Sequence, residues 1–482
     1  MKQFSTKLLL ALLALSASQV HAVRYTNKTH VTFRPQGENL VIEHALADHL
    51  RYSKDTNAWH GKISASAFYQ RSENNRGLAR LMLFGGKDAV SFKRGVAANP
   101  VTPAGSLDLD LGYLVHNNAA AGAPATDETA TLKLSPERTT YGMRFDYHHD
   151  LGTIFKGLDL HAYAPVVEMR HHLNRIVSGS TNAVQQNADN YFTGKLQATG
   201  GNSNQDYLRN AILADQRAVG IADLELELNY ALMCRSWGCI QLGLGATVPT
   251  GNTPDGTYAF QPIYGNGHHY AIGAQAGMHA QVHAWREQRL SFQANARYRY
   301  LFEGKETRTL GINNRDFGQY LLLGTVGAAA NSMLTPAANV LTMPVDVTPG
   351  HQFDALAGFS YSWRKLAIDA GYNFFYRQRE GVRLREAFTD GVYKIANRNF
   401  DTAAGAGFLA ADGEATVNQA DLDLNAARDE NNLSHSVYTS VGLVMNEAAT
   451  PVMVGIGGSY EFAARNNALE QWTVWAKAGI SF

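Results

Sequence analysis

The chain has 482 residues, of which 45% are hydrophobic and 17% charged, and its 42 basic residues balance 42 acidic ones. A neutral chain without a basic block is not expected to bind nucleic acid, and the apolar content excludes a disordered chain. Two cysteines are too few for a disulfide scaffold or a cysteine-based metal site.

The first 22 residues have the pattern of a secretory signal. Lys2 and Lys7 precede a short apolar run over residues 8–15, and the sequence Val-His-Ala ending at Ala22 suits a cleavage site. The run is too short to cross a bilayer, which needs about 20 residues. We therefore predict that residues 1–22 are removed on export, and no later stretch is apolar enough for a membrane-spanning helix.

Residues 23–59 precede the first predicted strand and form a separate N-terminal segment. Within it, Leu40, Ile42, Leu46 and Leu50 can share one face of a short helix. The domain that follows is predicted below to be a hollow barrel. The segment either plugs the lumen of this barrel or lies outside it in the periplasm, and the sequence leaves both interpretations open.

Residues 60–482 are dominated by segments in which apolar and polar residues alternate. Successive side chains of a strand point to opposite faces, so period two over about 15 residues predicts strands. Such strands are longer than the usual 5–6 residues and long enough to cross a bilayer. The prediction is an all-β, antiparallel transmembrane β-barrel of about 14 strands, within a range of 12 to 16. The predicted strands lie near 60–72, 77–85, 106–115 (with 129–135 as an alternative), 139–151, 158–170, 222–234, 239–249, 269–285, 289–303, 352–363, 366–380, 435–446, 451–463 and 471–482.

The connections alternate between very short and very long, which distinguishes a membrane barrel from a soluble β-sandwich. Short turns are expected in the periplasm and long loops outside the cell. The long segments cover roughly 171–221, 250–268, 304–351 and 380–434.

Cys234 and Cys239 flank one of the short turns, in an oxidising compartment. Strand parity predicts that they are not directly opposite, although an irregular turn can still bring them together. We expect a disulfide that stiffens the turn, in preference to two free thiols.

The last strand closes the sequence on one apolar face, formed by Trp472, Val474, Ala478, Ile480 and Phe482. This ending resembles the assembly signal of Gram-negative outer-membrane β-barrels. The resemblance implies an outer-membrane location, contact with the lipid bilayer and lipopolysaccharide, and recognition by the outer-membrane assembly machinery.

A looser resemblance is to fatty-acid-transporter-like barrels, which combine about 14 strands with an N-terminal plug. It rests on that layout and on the Pro-Thr-Gly element within Thr247–Asn252, which leaves a strand for a loop. The resemblance implies uptake of hydrophobic compounds. The Asn-Pro-Ala of that group's plug is not found in residues 23–59.

Charged residues on the polar faces of the strands are the main functional candidates. Opposed acids and bases across a lumen order water and select solutes, but they can also fill a closed barrel with ion pairs. The predicted lumen-lining residues are Arg297, Arg299, Arg377, Arg379, Glu225, Glu227, Asp369 and His279.

These features favour a porin-like channel or passive transporter for small solutes. The alternatives are a surface-exposed structural or adhesion barrel with a filled lumen, and fatty-acid-transporter-like uptake. No nucleophile elbow is present, since Gly457-Gly458-Ser459 lacks the closing glycine, so no enzyme activity is predicted. No metal or cofactor is expected, and a homo-oligomer remains open.

Overall fold

The computed structural model describes residues 27–35, 39–52, 60–73, 75–93, 109–110, 129–197, 204–327, 333–395, 416–447, 450–465 and 468–482. Twelve long strands form its central sheet. They are β1 His60–Ser72, β2 Glu137–Asp150, β3 Leu158–His172, β4 Leu224–Arg235, β5 Gly238–Val248, β6 Ala271–Trp285, β7 Gln288–Leu301, β8 Gly350–Trp363, β9 Leu366–Arg377, β10 Asn432–Met445, β11 Val452–Arg465 and β12 Gln471–Ser481.

Each strand pairs antiparallel with the next, and β12 pairs with β1, so the sheet closes into a barrel. Ser481 lies opposite Lys62, which places the C-terminus at the same end as the short turns. The predicted all-β antiparallel barrel is confirmed, with 12 strands where about 14 were predicted.

Two predicted barrel strands are wrong. Residues 77–85 fall mainly on helix α2, Asn75–Met82, whose buried Leu78, Leu81 and Met82 follow helical spacing, not a period of two. Of 106–115, the described residues are 109 and 110, a two-residue strand outside the barrel. The alternative at 129–135 is the short strand Thr129–Lys133, which also lies outside the barrel.

The outer surface of the barrel carries the apolar residues predicted to face lipid. Exposed side chains on the outward face include Ile63, Phe145, Leu244, Ile272, Val441, Ile456 and Val474. The inward-facing set is polar and almost completely buried, as in Ser66, Thr140, Gln293, Asn373, Ser436 and Thr473. An apolar exterior around a polar interior is the arrangement of barrels that cross the outer membrane.

A β-bulge in β4 corrects the predicted geometry of the cysteines. The register shifts between Ala231 and Met233, and beyond the shift Cys234 lies directly opposite Cys239. An inserted residue reverses the facing of all later side chains, which strict alternation could not anticipate. The two cysteines are joined by a disulfide.

The long loops fold together over the extracellular end into a cap with its own apolar core. Buried aromatic residues at its centre include Phe92, Phe192, Phe260, Phe317 and Tyr320. Its helices are α2, α3 Asn182–Phe192 and α4 Ala337–Leu341, with 3-10 turns at Phe84–Gly86, Gly318–Tyr320 and Gln419–Asp421. Its short strands are Ala89–Lys93, Leu109–Asp110, Thr129–Lys133, Ile176–Gly179, Asn204–Gln205, Gly304–Thr309, Gly311–Ile312, Leu322–Thr325, Met333–Pro336, Thr342–Thr348, Gly381–Leu384, Tyr393–Ile395, Thr416–Val417 and Leu422–Asp423.

One further strand, Gln216–Ile221, pairs with the extracellular half of β3 and leads into β4. We call it the β4 extension. No helix within the described part of the chain is long and apolar enough to cross a membrane.

The described residues before β1, 27–35 and 39–52, are called the inner segment. Helix α1, Leu40–His44, and a 3-10 turn, Ala47–His49, lie within it. One continuous helical face from Leu40 to Leu50 was expected. The helix instead breaks at Leu46, whose φ of 65° is left-handed and whose backbone N–H donates to Asp369 on β9.

Candidate functional site in the barrel lumen

The inner segment runs through the barrel from the cap to the periplasmic end. In the cap, the backbone N–H of Asn27 donates to the Leu83 carbonyl, 3.1 Å away. At the other end, the backbone N–H of Arg51 donates to the side chain of Asn446, in the turn between β10 and β11, at 2.9 Å. The described residues of the segment therefore extend from the cap to the periplasmic end of the lumen.

Glu43, on helix α1, is the central anchor of this segment. Asn39 caps the helix by accepting from the Val41 N–H, and Glu43 then points between two walls. Arg144 of β2 contacts its carboxylate at 2.8 Å, and Arg297 of β7 contacts it at 2.7 Å. Because β2 and β7 are five positions apart among twelve strands, Glu43 bridges nearly opposite walls.

The two arginines continue into a buried ion network. Arg144 also pairs with Asp146 at 2.6 Å, and Arg297 with Glu227 at 2.7 Å. His161 closes the ring, hydrogen-bonding with Glu227 at 2.8 Å and with Asp146 at 3.2 Å. Each charge in the network therefore has at least one opposite partner, as buried charges require.

Tyr163 packs between the two guanidinium groups. Its ring centroid lies 3.7 Å from Arg144 Cζ and 5.7 Å from Arg297 Cζ. A buried aromatic ring stabilises cations at such distances and restricts their orientation. The ring thus holds both arginines toward Glu43.

Three members of the network could in principle hold a metal. One ligand atom each of Glu43, His161 and Glu227 lies within 4.8 Å of the others. The same carboxylates already neutralise the guanidinium groups of Arg144 and Arg297. The donor set therefore fits an internal ion network and not a cation site.

A second anchor lies nearer the extracellular end. Arg34 donates to Asp354 on β8 at 2.6 Å and to Asn373 on β9 at 2.9 Å, and its guanidinium lies over the Phe375 ring. Glu461 on β11 is 3.7 Å from the same side chain. Arg34 thus joins three strands through a single side chain.

A third anchor lies near the periplasmic end, at Asp369. Its carboxylate accepts from the Leu46 N–H and contacts His49 Nε2, both at 2.7 Å. Leu46 is seated on the facing glycines Gly442 and Gly455, where an added Cβ would lie 2.9 and 2.2 Å from its Cδ1. Only glycine leaves room for this leucine.

The top of the inner segment is held by charged groups of the cap. Lys28 pairs with Glu430 at 2.8 Å, and the Thr32 N–H donates to Asp429 at 3.0 Å. Burial raises the pKa of Asp429 to about 6, and nearby Glu380 adds to the shift. Burial also lowers the pKa of His30 to about 3, with Arg308 acting in the same direction.

Arg308 organises the acids around this top anchor. It contacts Glu306 at 2.6 Å and Glu380 at 2.5 Å. Burial alone would raise the pKa of each carboxyl, but the charge of Arg308 outweighs it and lowers both pKa values. Glu306 also hydrogen-bonds with His269 at 2.9 Å.

Most of the predicted lumen-lining residues are inward-facing and buried, and they are paired. Arg299 contacts Glu225 at 2.5 Å, and Arg377 contacts Asp429 at 3.0 Å. Those that lie in the interior are Arg297, Arg299, Arg377, Glu225, Glu227 and Asp369.

Two predicted members of the set are exposed. Arg379 is not lumen-lining, because β9 ends at Arg377 and the chain beyond it leaves the sheet. Alternation does not fix the end of a strand, and it continues through Arg379. His279 lies within β6 opposite Gln293 and faces the lumen, toward the periplasmic end, where the lumen-facing side chains are exposed.

Sequence reasoning missed Arg34, Glu43, His161 and Lys477. Arg34 and Glu43 lie outside the strands, where no alternation assigns a direction. Lys477 had a usable signal, because it is the one cation in the apolar final strand. Its Nζ donates to the carbonyls of Ile42 and Glu43, at 2.8 and 2.5 Å.

One side of the lumen carries few side chains. The inward faces of β5 and β6 contain Gly243, Gly245, Gly273 and Gly277. A small crevice lies against this wall, lined by Glu225, Glu227, Thr247, Gln275, Arg297 and Arg299. Toward the periplasm, the inward positions Gln241, His279 and Gln281 are exposed.

A closed twelve-stranded sheet, an apolar exterior and a buried polar interior define this protein as an outer-membrane β-barrel. No family model matches its sequence, and no curated protein matches it. Among solved structures, it is similar to an outer-membrane channel from Pseudomonas putida F1, at 11% identity over 88% of this chain and 96% of that one, with a TM-score of 0.36.

Two other similar structures belong to different groups. The translocator domain of the autotransporter NalP from Neisseria meningitidis has 8% identity over 91% of each chain and a TM-score of 0.29. A Pseudomonas aeruginosa FadL homologue has 9% identity over 88% of this chain and 90% of that one, also with a TM-score of 0.29. At these values the similarities carry no function to this chain.

Proposed function

We propose that the protein is a gated channel or transporter for small polar solutes, in which the inner segment is the plug. The observation that supports this most strongly is the contact of Glu43 with Arg144 and Arg297 on nearly opposite walls. The ion pairs and hydrogen bonds that hold the plug can be exchanged for contacts with water or solute. Apolar packing of Leu40, Val41 and Ile42 against the barrel wall also holds the plug in the closed state.

The solute path in this proposal follows β5 and β6. Their inner faces carry glycines, and the crevice beside Glu225 and Arg299 lies on the same wall as the exposed positions toward the periplasmic end. Both signs of charge line this crevice, which favours polar or zwitterionic solutes over hydrophobic ones. Movement of the inner segment away from Arg297 would widen this path toward the cap.

The test is single-channel conductance of the purified mature protein in planar bilayers, comparing wild type with Glu43→Gln. The amide cannot neutralise Arg144 and Arg297, so the variant is expected to show frequent stepwise openings where wild type is mostly closed. Glu287→Gln is the matched control, because Glu287 pairs with Arg364 in an exposed turn and should leave the closed state unchanged.

A second candidate is a surface structural or adhesion protein, which the cap favours because it has a large apolar core of its own. The same measurement separates the two. A folded Glu43→Gln barrel without conductance contradicts the gated channel and supports the surface protein. Wild type that conducts as freely as the variant contradicts the role of the inner segment as a plug.

A further inference from the structure

Three arginines form a row across the outer surface of the barrel, at its extracellular end. Arg71 on β1 lies opposite Thr139 on β2, Thr139 lies opposite Arg170 on β3, and Arg170 lies opposite Arg217 on the β4 extension. Neighbouring strands are about 4.8 Å apart, so the row spans about 15 Å. We call Arg71, Arg170 and Arg217 the arginine row.

The arginine row lies just above the apolar band of the barrel. One pleat toward the membrane, the outward residues of β1 and β2 are Tyr69 and Tyr141, whose ring centroids are 5.0 Å apart. On the β4 extension, the outward residues also pass from basic to apolar toward the membrane, from Arg217 to Val219 and Ile221. Both apolar side chains are exposed. Aromatic girdles mark the membrane–water interface, so the row lies at the level of the outer-leaflet headgroups.

The three guanidinium groups are exposed yet held in place. Their side chains are 49%, 42% and 60% exposed, in chain order. Glu137 contacts Arg71 at 3.0 Å, and Glu168 contacts Arg170 at 2.6 Å and Arg217 at 2.8 Å. Each guanidinium has five N–H donors in a planar fork, and these contacts use only part of them.

The row of arginines does not continue onto the neighbouring strands β12 and β11. From Arg71, the same row continues the other way as Trp472 on β12 and Tyr460 on β11, both aromatic. At the extracellular ends of β7 and β8, the outward residues include Tyr300 and Phe353. A general affinity for anionic surfaces would not require such a one-sided arrangement.

We infer that the arginine row binds the phosphorylated sugar headgroup of lipid A in the outer leaflet. Arginine forks bind phosphate oxygens in pairs, which makes them the preferred residues for this group. The acyl chains of the same lipid would lie along the surface below, against Tyr69, Tyr141 and Val219. Glu168 lies between Tyr141 and Val219 at this level, and its carboxylate pairs with Arg170 and Arg217. Thr139 is short enough to leave Arg71 and Arg170 able to approach one phosphate from both sides.

The test measures binding of bisphosphorylated lipid A to the purified full-length mature protein in detergent, by native mass spectrometry. The variant replaces all three residues, R71Q, R170Q and R217Q. We expect its apparent Kd for lipid A to rise at least about tenfold over that of wild type. Phosphatidylcholine, which has acyl chains but no net charge, should bind both proteins equally and weakly.

The matched control removes the same charge elsewhere, with R286Q, R364Q and R383Q. Arg286 and Arg364 lie in periplasmic turns and Arg383 lies in the cap, and all three are exposed. This control should bind lipid A as wild type does, and both triple variants should retain heat-modifiable mobility, which shows a folded barrel.

Three results would overturn the inference. One is equal loss of lipid A binding in both triple variants, which would show a general charge effect. Another is unchanged binding in the arginine-row variant. The third is displacement of lipid A by inorganic phosphate in large excess, which would show a site for free anions only.

Discussion

Arg144 and Arg297 stand five strands apart in the wall of the barrel, and both contact the carboxylate of Glu43 between them. This arrangement joins two distant parts of the sheet through a residue that belongs to neither. In the proposed function, opening of the lumen requires release of this carboxylate from both arginines.

Replacement of Glu43 by Gln should therefore destabilise the protein by about 3 kcal/mol, the lower end of the cost of leaving a buried ion pair incomplete. The loss of stability should not exceed this value, because Arg144 still pairs with Asp146 and Arg297 still pairs with Glu227 in the variant. Equilibrium unfolding in urea, followed by tryptophan fluorescence in lipid vesicles, measures it. The exposed Glu287→Gln should change stability by less than about 1 kcal/mol, and equal effects of the two variants would contradict the prediction.

Gly455→Val should displace Leu46 from its seat and raise conductance without any change of charge. The added side chain would collide with Leu46 Cδ1, which lies 2.2 Å from the position of the first added carbon. The double variant Gly455→Val, Leu46→Ala should open less often than Gly455→Val alone, because it removes this collision and leaves the contacts of the new side chain with the Val441 carbonyl and Gly442 Cα. Gly458→Val on the same strand is the control, because the nearest atom to its Cβ position is 3.3 Å away. The openings are measured by planar-bilayer recordings. Openings in the Gly458→Val control alone would contradict the prediction.

Asp369→Asn should loosen the periplasmic end of the inner segment. The variant loses the ionic part of the contact with His49, and its amide is a weaker acceptor for the Leu46 N–H. Trypsin should then cut after Arg51 several times faster, and N-terminal sequencing should find a fragment beginning at Tyr52. Asp346→Asn, which affects an ion pair in the cap, should leave that cleavage rate unchanged. Equal rates in the two variants would show that Asp369 does not hold the segment.

The stability of the cap should depend on pH through two opposing groups. His30 takes up a proton near pH 6.5 in the unfolded chain but only near pH 3 in the folded cap. The free energy of unfolding of the cap therefore decreases as pH falls through that range. Asp429 has its pKa raised to about 6 in the folded cap. Its protonation therefore increases the free energy of unfolding of the cap as pH falls from about 6 toward 4.

Substitution separates these contributions. Between pH 7 and pH 5, acidification should destabilise His30→Gln less than wild type and Asp429→Asn more than wild type. Urea unfolding of the cap, followed by near-ultraviolet circular dichroism at the two pH values, measures the difference. Identical pH dependence in wild type and both variants would contradict the assigned titrations.

Alternation of side chains was enough to predict the twelve strands of the barrel and to tell its apolar outer face from its polar inner face. The inward direction of Arg297 and Glu227 followed from period two, because a half-buried strand repeats every second residue. The bulge at Ala231–Met233 could not be predicted, since an inserted residue leaves no mark on composition. The cysteine pair was therefore placed one residue out of register.

The contents of the lumen were harder to predict than its wall. Glu43 and Arg34 act across the barrel on strands 101 and 320 residues later, at Arg144 and Asp354. Such contacts depend on the closure of the sheet, which no local pattern encodes. The helix α2 was mistaken for a strand because a short apolar run is compatible with either period.

The path of the inner segment has a consequence for assembly. The strand pair that seals the barrel, β12 with β1, joins the two ends of the sheet and can form only after the last residues are made. Residues of the inner segment already lie inside that ring and reach the cap through it. The sheet must therefore close around the inner segment, or admit it afterwards, so the order of those two events is part of the folding pathway.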